Sequence, residues 1–212
     1  MPLYYDNAFY EECRLCIWEI TETLEELLET SHINENELKE VEKKTVKRQL
    51  EWITIRLLLK QLLKTDEKIL LDYDEYGKPH LNGIKKHISI SHTKQFVAVI
   101  VHNKKKVGID IEITAPRIEK IKHKFLSEKE NEWTKGNDSL EKLFIIWGAK
   151  ESAFKIYAEG GIEFRKMLEV NPFDYTEKGE TFVTINKNII TCAYPVWWER
   201  LGELMMVYAV EN

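Results

Sequence analysis

Cysteine is scarce in this 212-residue chain, which has three. An odd, sparse set does not build the paired framework of a small secreted domain, so a disulfide-stapled fold is excluded. Cys13 and Cys16 form a C-x-x-C, but no second Cys/His pair stands at zinc-finger spacing. The surrounding R-L-C-I-W-E-I reads as a strand in which both thiols pack. Glycine (nine) and proline (five) are also few, and no Pro/Gly/Ser-rich linker separates independent modules. No apolar run approaches the roughly 18 residues that suggest a spanning helix. The opening M-P-L-Y-Y-D-N-A-F-Y-E-E lacks a basic n-region and already carries Asp6, Glu11 and Glu12, unlike a secretory signal. A cytoplasmic protein without a membrane partner is the expectation. An excess of positive charge is missing too, since the net charge is -5, so nucleic acid is not an expected partner. Lys104–Lys106 and the Lys120–Lys124 region read as solvated basic faces.

What is present is hydrophobic periodicity, on a chain that is 43% hydrophobic. Cys13–Ile20 reads as a strand, Thr21–Glu29 as a short acidic helix, and Asn34–Lys64 as a long helical stretch, broken or kinked. Short strands are predicted at Ile69–Tyr73, His87–Ser91 and Phe96–Val101, joined by the turn-rich Y-D-E-Y-G-K-P-H-L-N-G and the tight H-T-K-Q. The second part repeats that order. A strand starts at Val107, helices follow around Arg117–His123, Ser127–Trp133 and Ser139–Ala158, and strands lie near Thr181–Ile185, Ile189–Tyr194 and Leu204–Val210. An α+β fold is predicted, with two similar halves, 1–104 and 105–212, each a small, mainly antiparallel sheet with helices. A ligand site between such halves is an ordinary arrangement.

Residues 106–113 read K-V-G-I-D-I-E-I. In a strand, Val107, Ile109, Ile111 and Ile113 share one face, while Gly108, Asp110 and Glu112 share the other. The second face is either a solvated surface or two carboxylates gathered on a hard cation, with Gly108 admitting something bulky to the backbone. Ser139–Ala158, S-L-E-K-L-F-I-I-W-G-A-K-E-S-A-F-K-I-Y-A, is apolar on most sides, with Leu140, Leu143, Phe144, Trp147, Phe154 and Ala158 in one stripe. A narrow polar stripe of Glu141, Gly148, Ser152, Glu151 and Lys155 runs beside it. Glu151 and Lys155 at i,i+4 are either a surface pair worth about 0.2–0.5 kcal/mol or part of a site, and the burial expected of this helix favours a site. Gly148, costing roughly 1 kcal/mol in a helix interior, is read as clearing space before Glu151. Three carboxylates and a lysine suit magnesium and phosphate.

V-G-I-D-I-E and W-G-A-K-E-S-A-F-K, with Glu151 following Asp110 by 41 positions, resemble the two signature motifs of the 4'-phosphopantetheinyl transferases, in particular the long surfactin-synthetase-activating type. Y-G-K-P (76–79) is similar to the family loop at the adenine end of coenzyme A. S-I-S-H-T (89–93) is similar to the segment whose serine and histidine bind its phosphates, and R-Q-L-E-W-I-T-I-R (48–56) to the basic helix reaching the 3'-phosphate. The resemblance implies Mg2+-dependent transfer of the phosphopantetheine arm of coenzyme A to a serine of an apo acyl or peptidyl carrier protein. It implies Asp110, Glu112 and Glu151 as metal ligands, and Glu151, Lys155 and Asp110 as catalytic residues. Arg48, Arg56, Lys78, Pro79, Ser91, His92 and Gly108 are implied to bind coenzyme A, Gly108 by giving the pyrophosphate room. A complete site in one chain implies a monomer. Gly148 departs from the family's usual small polar residue or cysteine, and it motivates an alternative, a non-catalytic paralogue that binds coenzyme A or a carrier. The residue chemistry alone also allows a magnesium-dependent phosphohydrolase.

Overall fold

The computed structural model describes residues 3–9, 12–31 and 33–212. In chain order its elements are β1 (Leu3–Phe9), β2 (Cys13–Glu19), α1 (Leu24–Ser31), α2 (Glu35–Glu42), α3 (Val46–Leu63), β3 (Leu71–Tyr73), β4 (Pro79–Leu81), β5 (His87–Thr93), β6 (Phe96–His102) and β7 (Val107–Ile113). There follow α4 (Ile118–Ile121), a 3-10 turn (Lys122–Lys124), α5 (Glu128–Trp133), α6 (Ser139–Tyr157), α7 (Phe164–Met167), β8 (Leu168–Val170), β9 (Lys178–Lys187), β10 (Ile190–Leu201) and β11 (Leu204–Val210). The fold is α+β with antiparallel sheets.

Strand β2 shows why the sequence layers as it does. Cys13, Leu15 and Ile17 pack on one side with Ala98 and Ile100, while Cys16 and Trp18 pack on the other with Leu58, Leu59 and Leu62 of α3. A strand buried on both faces needs cover on both, and its two thiols serve as small apolar groups. Both are buried and free of any disulfide. The first sheet runs β1-β2-β6-β5 and the second β7-β11-β10-β9-β8. The sheets meet through one cluster, in which Leu15, Ile17, Ala98 and Ile100 face Ile109, Ile111, Met206 and Tyr208. Helix α3 backs the first sheet and α6 the second, where Ile145, Ile146, Ala149 and Ala153 meet Met205, Val207 and Ala209. The layers are therefore helix, sheet, sheet, helix.

The break expected in the Asn34–Lys64 stretch falls at 43–45, between α2 and α3, where Asn34 has already capped α2 in a reciprocal capping box with Glu37. The turn-rich segment before β5 hides a short strand, since Pro79–Leu81 pairs with Leu71–Tyr73.

Two glycines set how closely α6 lies on its sheet. A Cβ on Gly108 would stand 1.9 Å from the backbone oxygen of Ser152, and one on Gly148 would stand 2.6 Å from Val207 Cγ2. Ser152 completes the contact by donating from Oγ to the Val207 carbonyl at 3.1 Å. These positions correct the steric readings made above. The space at Gly108 is taken by α6 itself and not by a ligand, and Gly148 makes room for β11 and not for Glu151. Gly108→Ala is expected to cost about 3 kcal/mol in urea unfolding, because helix backbone cannot rotate aside as a side chain would. A variant as stable as the wild type would mean that α6 does not sit this close in solution.

Candidate active site

Strand β7 presents Gly108, Asp110 and Glu112 to the α6 side, and beyond the Gly108 contact this face opens into a polar cluster. Asp110 is 7% exposed. Its Oδ1 accepts from Lys155 Nζ and from Ser91 Oγ, each at 3.1 Å, while Oδ2 is buried with no hydrogen-bond partner. Lys155 also donates to the Ile109 carbonyl, so two of its three protons are committed to β7. Glu112 Oε2 accepts from Thr93 Oγ1 and from an Arg117 guanidinium nitrogen, both at 3.2 Å.

The seam between the sheets is built from hydroxyls. Ile109 N–H donates to Ser89 Oγ at 3.1 Å, and Ile111 N–H donates to Ser91 Oγ at 3.2 Å. The edge of β7 thus satisfies its backbone on side chains of β5, as buried N–H groups must. Ser91 spends its one proton on Asp110, so donating to a phosphate would require releasing the carboxylate. The hydroxyls of S-I-S-H-T recur with period two and stand opposite the acids of V-G-I-D-I-E. Arg117 carried no comparable signal.

Glu151 lies beside this group, and no hydrogen bond to its carboxylate is found among the described residues. Burial pushes its carboxyl up to about 7, reinforced by the charge of Asp110 and opposed by Lys155. Burial raises Glu112 too, and Asp110 adds to the shift. The consequence for stability has a definite sign. Below the ordinary value of 4.5 the Glu151 carboxyl is protonated whether folded or unfolded. As pH climbs toward 7 the unfolded chain releases that proton while the folded chain keeps it, so folding becomes less favourable across this window. Thermal melts of the metal-free protein between pH 4.5 and 7 are expected to show that decline, and Glu151→Gln to flatten it. Equal slopes in the two proteins would assign the decline to another group.

Among the described residues no three His, Cys, Asp or Glu side chains are grouped so as to hold a metal ion as they stand. Lys155 occupies Asp110 and Arg117 occupies Glu112. The donor set nevertheless suits a hard cation. All donors are carboxylate oxygens, one of them is a buried orphan, and two of the carboxyls are raised partly by neighbouring negative charge.

The turn before β4 closes on the far end of α6. Asp74 Oδ1 accepts from the N–H groups of Tyr76 and Lys78, and Gly77 supplies the positive φ of 80° that the turn requires. Lys78 and Pro79 line a cavity of about 150 Å³ together with Ser89, Phe154, Lys155 and Ala158. Burial pulls the Lys78 ammonium down to about 8, and its Nζ donates to the Ile156 carbonyl at 3.4 Å.

Arg48 and His92 come together from α3 and β5, with Arg48 Nη1 lying 2.8 Å from His92 Nε2. Glu51, which no sequence argument singled out, joins them. Arg56 makes none of these contacts. Its guanidinium stacks 3.1 Å from the Trp52 ring centroid, and burial lowers it to about 10. Glu141 also leaves the predicted polar stripe, to pair with Arg200 at 2.8 Å.

Residues 106–207 match the 4'-phosphopantetheinyl transferase superfamily. The matched span contains β7 and α6, hence all three acidic residues and Lys155, whereas α3, the turn at 74–78 and β5 precede it. The match supports phosphopantetheinyl transfer as the general activity. A comparison with curated proteins finds no match. No helix among the described residues is long and apolar enough to cross a membrane.

Proposed function

We propose that this chain transfers the 4'-phosphopantetheine arm of coenzyme A to a serine of an apo acyl or peptidyl carrier protein, as a transferase of the surfactin-synthetase-activating type. The observation that carries the reading is the convergence of Asp110, Glu112, Glu151 and Lys155 where α6 crosses β7, within the span that matches the family. The serine oxygen bonds to the phosphorus on the pantetheine side of the pyrophosphate. The bond from that phosphorus to the bridging oxygen breaks, and adenosine 3',5'-bisphosphate leaves with the electron pair. Glu151 is the candidate base for the serine proton, its carboxyl raised in the metal-free protein mainly by burial. Lys155 places its charge where phosphate oxygens gain negative charge. Asp110, Glu112 and Glu151 would hold Mg2+, which when bound neutralises and orients the pyrophosphate.

Lys78 and Pro79, at the mouth of the small cavity, would take the nucleotide end, with the Arg48 cluster at the 3'-phosphate. Residues 1–104 would then supply most coenzyme A contacts and 105–212 the metal ligands, making a complete site in a cytoplasmic monomer. Packing against Val207 gives Gly148 a reason of its own, so it lends no support to a non-catalytic paralogue. Incubation with coenzyme A, Mg2+ and a panel of apo carrier proteins, read by intact mass, tests the proposal. A carrier mass increase of one phosphopantetheine group is expected, and no increase with any carrier would refute it.

A further inference from the structure

Glu51 stands on α3 with 4% of its surface exposed. Its Oε2 accepts from Arg48 Nη1 at 2.7 Å, while its Oε1 lies 3.5 Å from His92 Nδ1 and 3.8 Å from Lys47 Nζ. A guanidinium has only donors, so the 2.8 Å contact between Arg48 Nη1 and His92 Nε2 makes Nε2 the acceptor. The proton of a neutral imidazole then sits on Nδ1, facing Glu51. Burial keeps His92 toward its neutral form, and Arg48, Lys47 and Lys155 add to this against the opposing charge of Glu51. Glu51 Oε1 is a buried oxygen without a hydrogen bond, and His92 Nδ1 is a donor close to it. A carboxylate is costly to bury next to Trp52 and Ile53, so its place here calls for a reason beyond packing.

We infer that Glu51 is a positioning residue, which fixes His92 in the Nδ1–H tautomer and anchors Arg48 through one nitrogen, so that the free edge of the guanidinium meets a phosphate monoester. The Nε2 lone pair of His92 then braces Arg48, while its Nδ1–H stays on the Glu51 side. The exposed remainder of Arg48 makes the phosphate contact, and Lys47 contributes charge. Identifying that phosphate as the 3'-phosphate of coenzyme A rests on the function proposed above.

The test compares coenzyme A with its 3'-dephospho form as substrates for the wild type, Glu51→Ala and Glu51→Gln, and records the 15N spectrum of the His92 side chain without ligand. In Glu51→Ala the KM for coenzyme A should rise about tenfold, as expected for loss of a charge-assisted contact. The dephospho form should change by less than about twofold. Glu51→Gln, which keeps an acceptor for Arg48, should fall between. Adding Glu51→Ala to Arg48→Ala should change nothing further. Equal losses on both substrates would reduce Glu51 to a structural residue and overturn the inference. The imidazole spectrum requires no substrate. The wild type should carry the proton on Nδ1 and Glu51→Ala should lose that preference, whereas an unchanged spectrum would overturn the positioning role. Should the wild type use neither substrate, the transfer reading fails, and the spectrum alone decides the role of Glu51.

Discussion

Asp110→Asn is expected to lower phosphopantetheinyl transfer by about a thousandfold or more while leaving the chain folded. The substitution keeps the shape of the side chain, and its carbonyl oxygen still accepts from Ser91 and Lys155 as Oδ1 does now. Three things change with the charge. The orphan Oδ2, which now finds no donor, becomes an NH2 group in a buried position, at a cost of about 1–3 kcal/mol if it too stays unpaired. Lys155 loses its counter-charge at 3.1 Å, and the negative charge that raises Glu151 and Glu112 disappears. Two carboxyls should then titrate nearer their ordinary values, while the pair that would hold a cation is broken. Stability therefore falls modestly and activity falls steeply. Intact-mass assays at saturating coenzyme A and Mg2+, paired with thermal melts, separate the two effects. Turnover within about tenfold of the wild type would remove Asp110 from the metal and catalytic roles.

Residues whose neighbours lie close in sequence were the legible ones. The alternation in K-V-G-I-D-I-E-I placed Val107, Ile109, Ile111 and Ile113 on a core face, and all four pack in the cluster between the sheets. The spacing of α6 foretold a buried helix, and ten of its residues are buried. Strand β1 went unassigned because its exposed and half-buried positions alternate at a sheet edge, leaving a weak hydrophobic signal. Gly108 and Gly148 misled for a different reason. A glycine in sequence announces that a side chain is missing, but only the fold shows which atom fills the space, and here α6 and β11 fill it. The candidate site divided along the same line. Asp110 and Lys155 were each readable from local motifs, but the hydrogen bond between them was not. Nor was Glu51, whose partner on β5 is remote in sequence.

Lys150 carries the largest expected effect on stability. In W-G-A-K-E-S it sits beside Glu151, and both it and Glu130 are wholly buried. Lys150 Nζ donates to Glu130 Oε2 and to the Phe125 carbonyl, both at 2.6 Å, and to the Phe164 carbonyl at 3.3 Å. Glu130 also caps α5 through the Ser127 N–H and accepts from the Val170 N–H at 2.9 Å. One ion pair thus ties α6 to α5 and the segment before it, to the start of α7 and to β8, around the helix that carries Glu151 and Lys155. Burial lowers the Lys150 ammonium and Glu130 holds it up, so the charge survives there only because of its partner. Lys150→Met fills a similar volume but strands a buried carboxylate and two carbonyls, and is expected to cost about 3–5 kcal/mol in chemical unfolding. Glu130→Gln combined with Lys150→Met removes the stranded charge and should recover a large part of that loss, since Gln still accepts a backbone N–H through its carbonyl oxygen. If Lys150→Met alone matches the wild type in unfolding midpoint, the pair is not buried in solution and α6 is held by its apolar contacts alone.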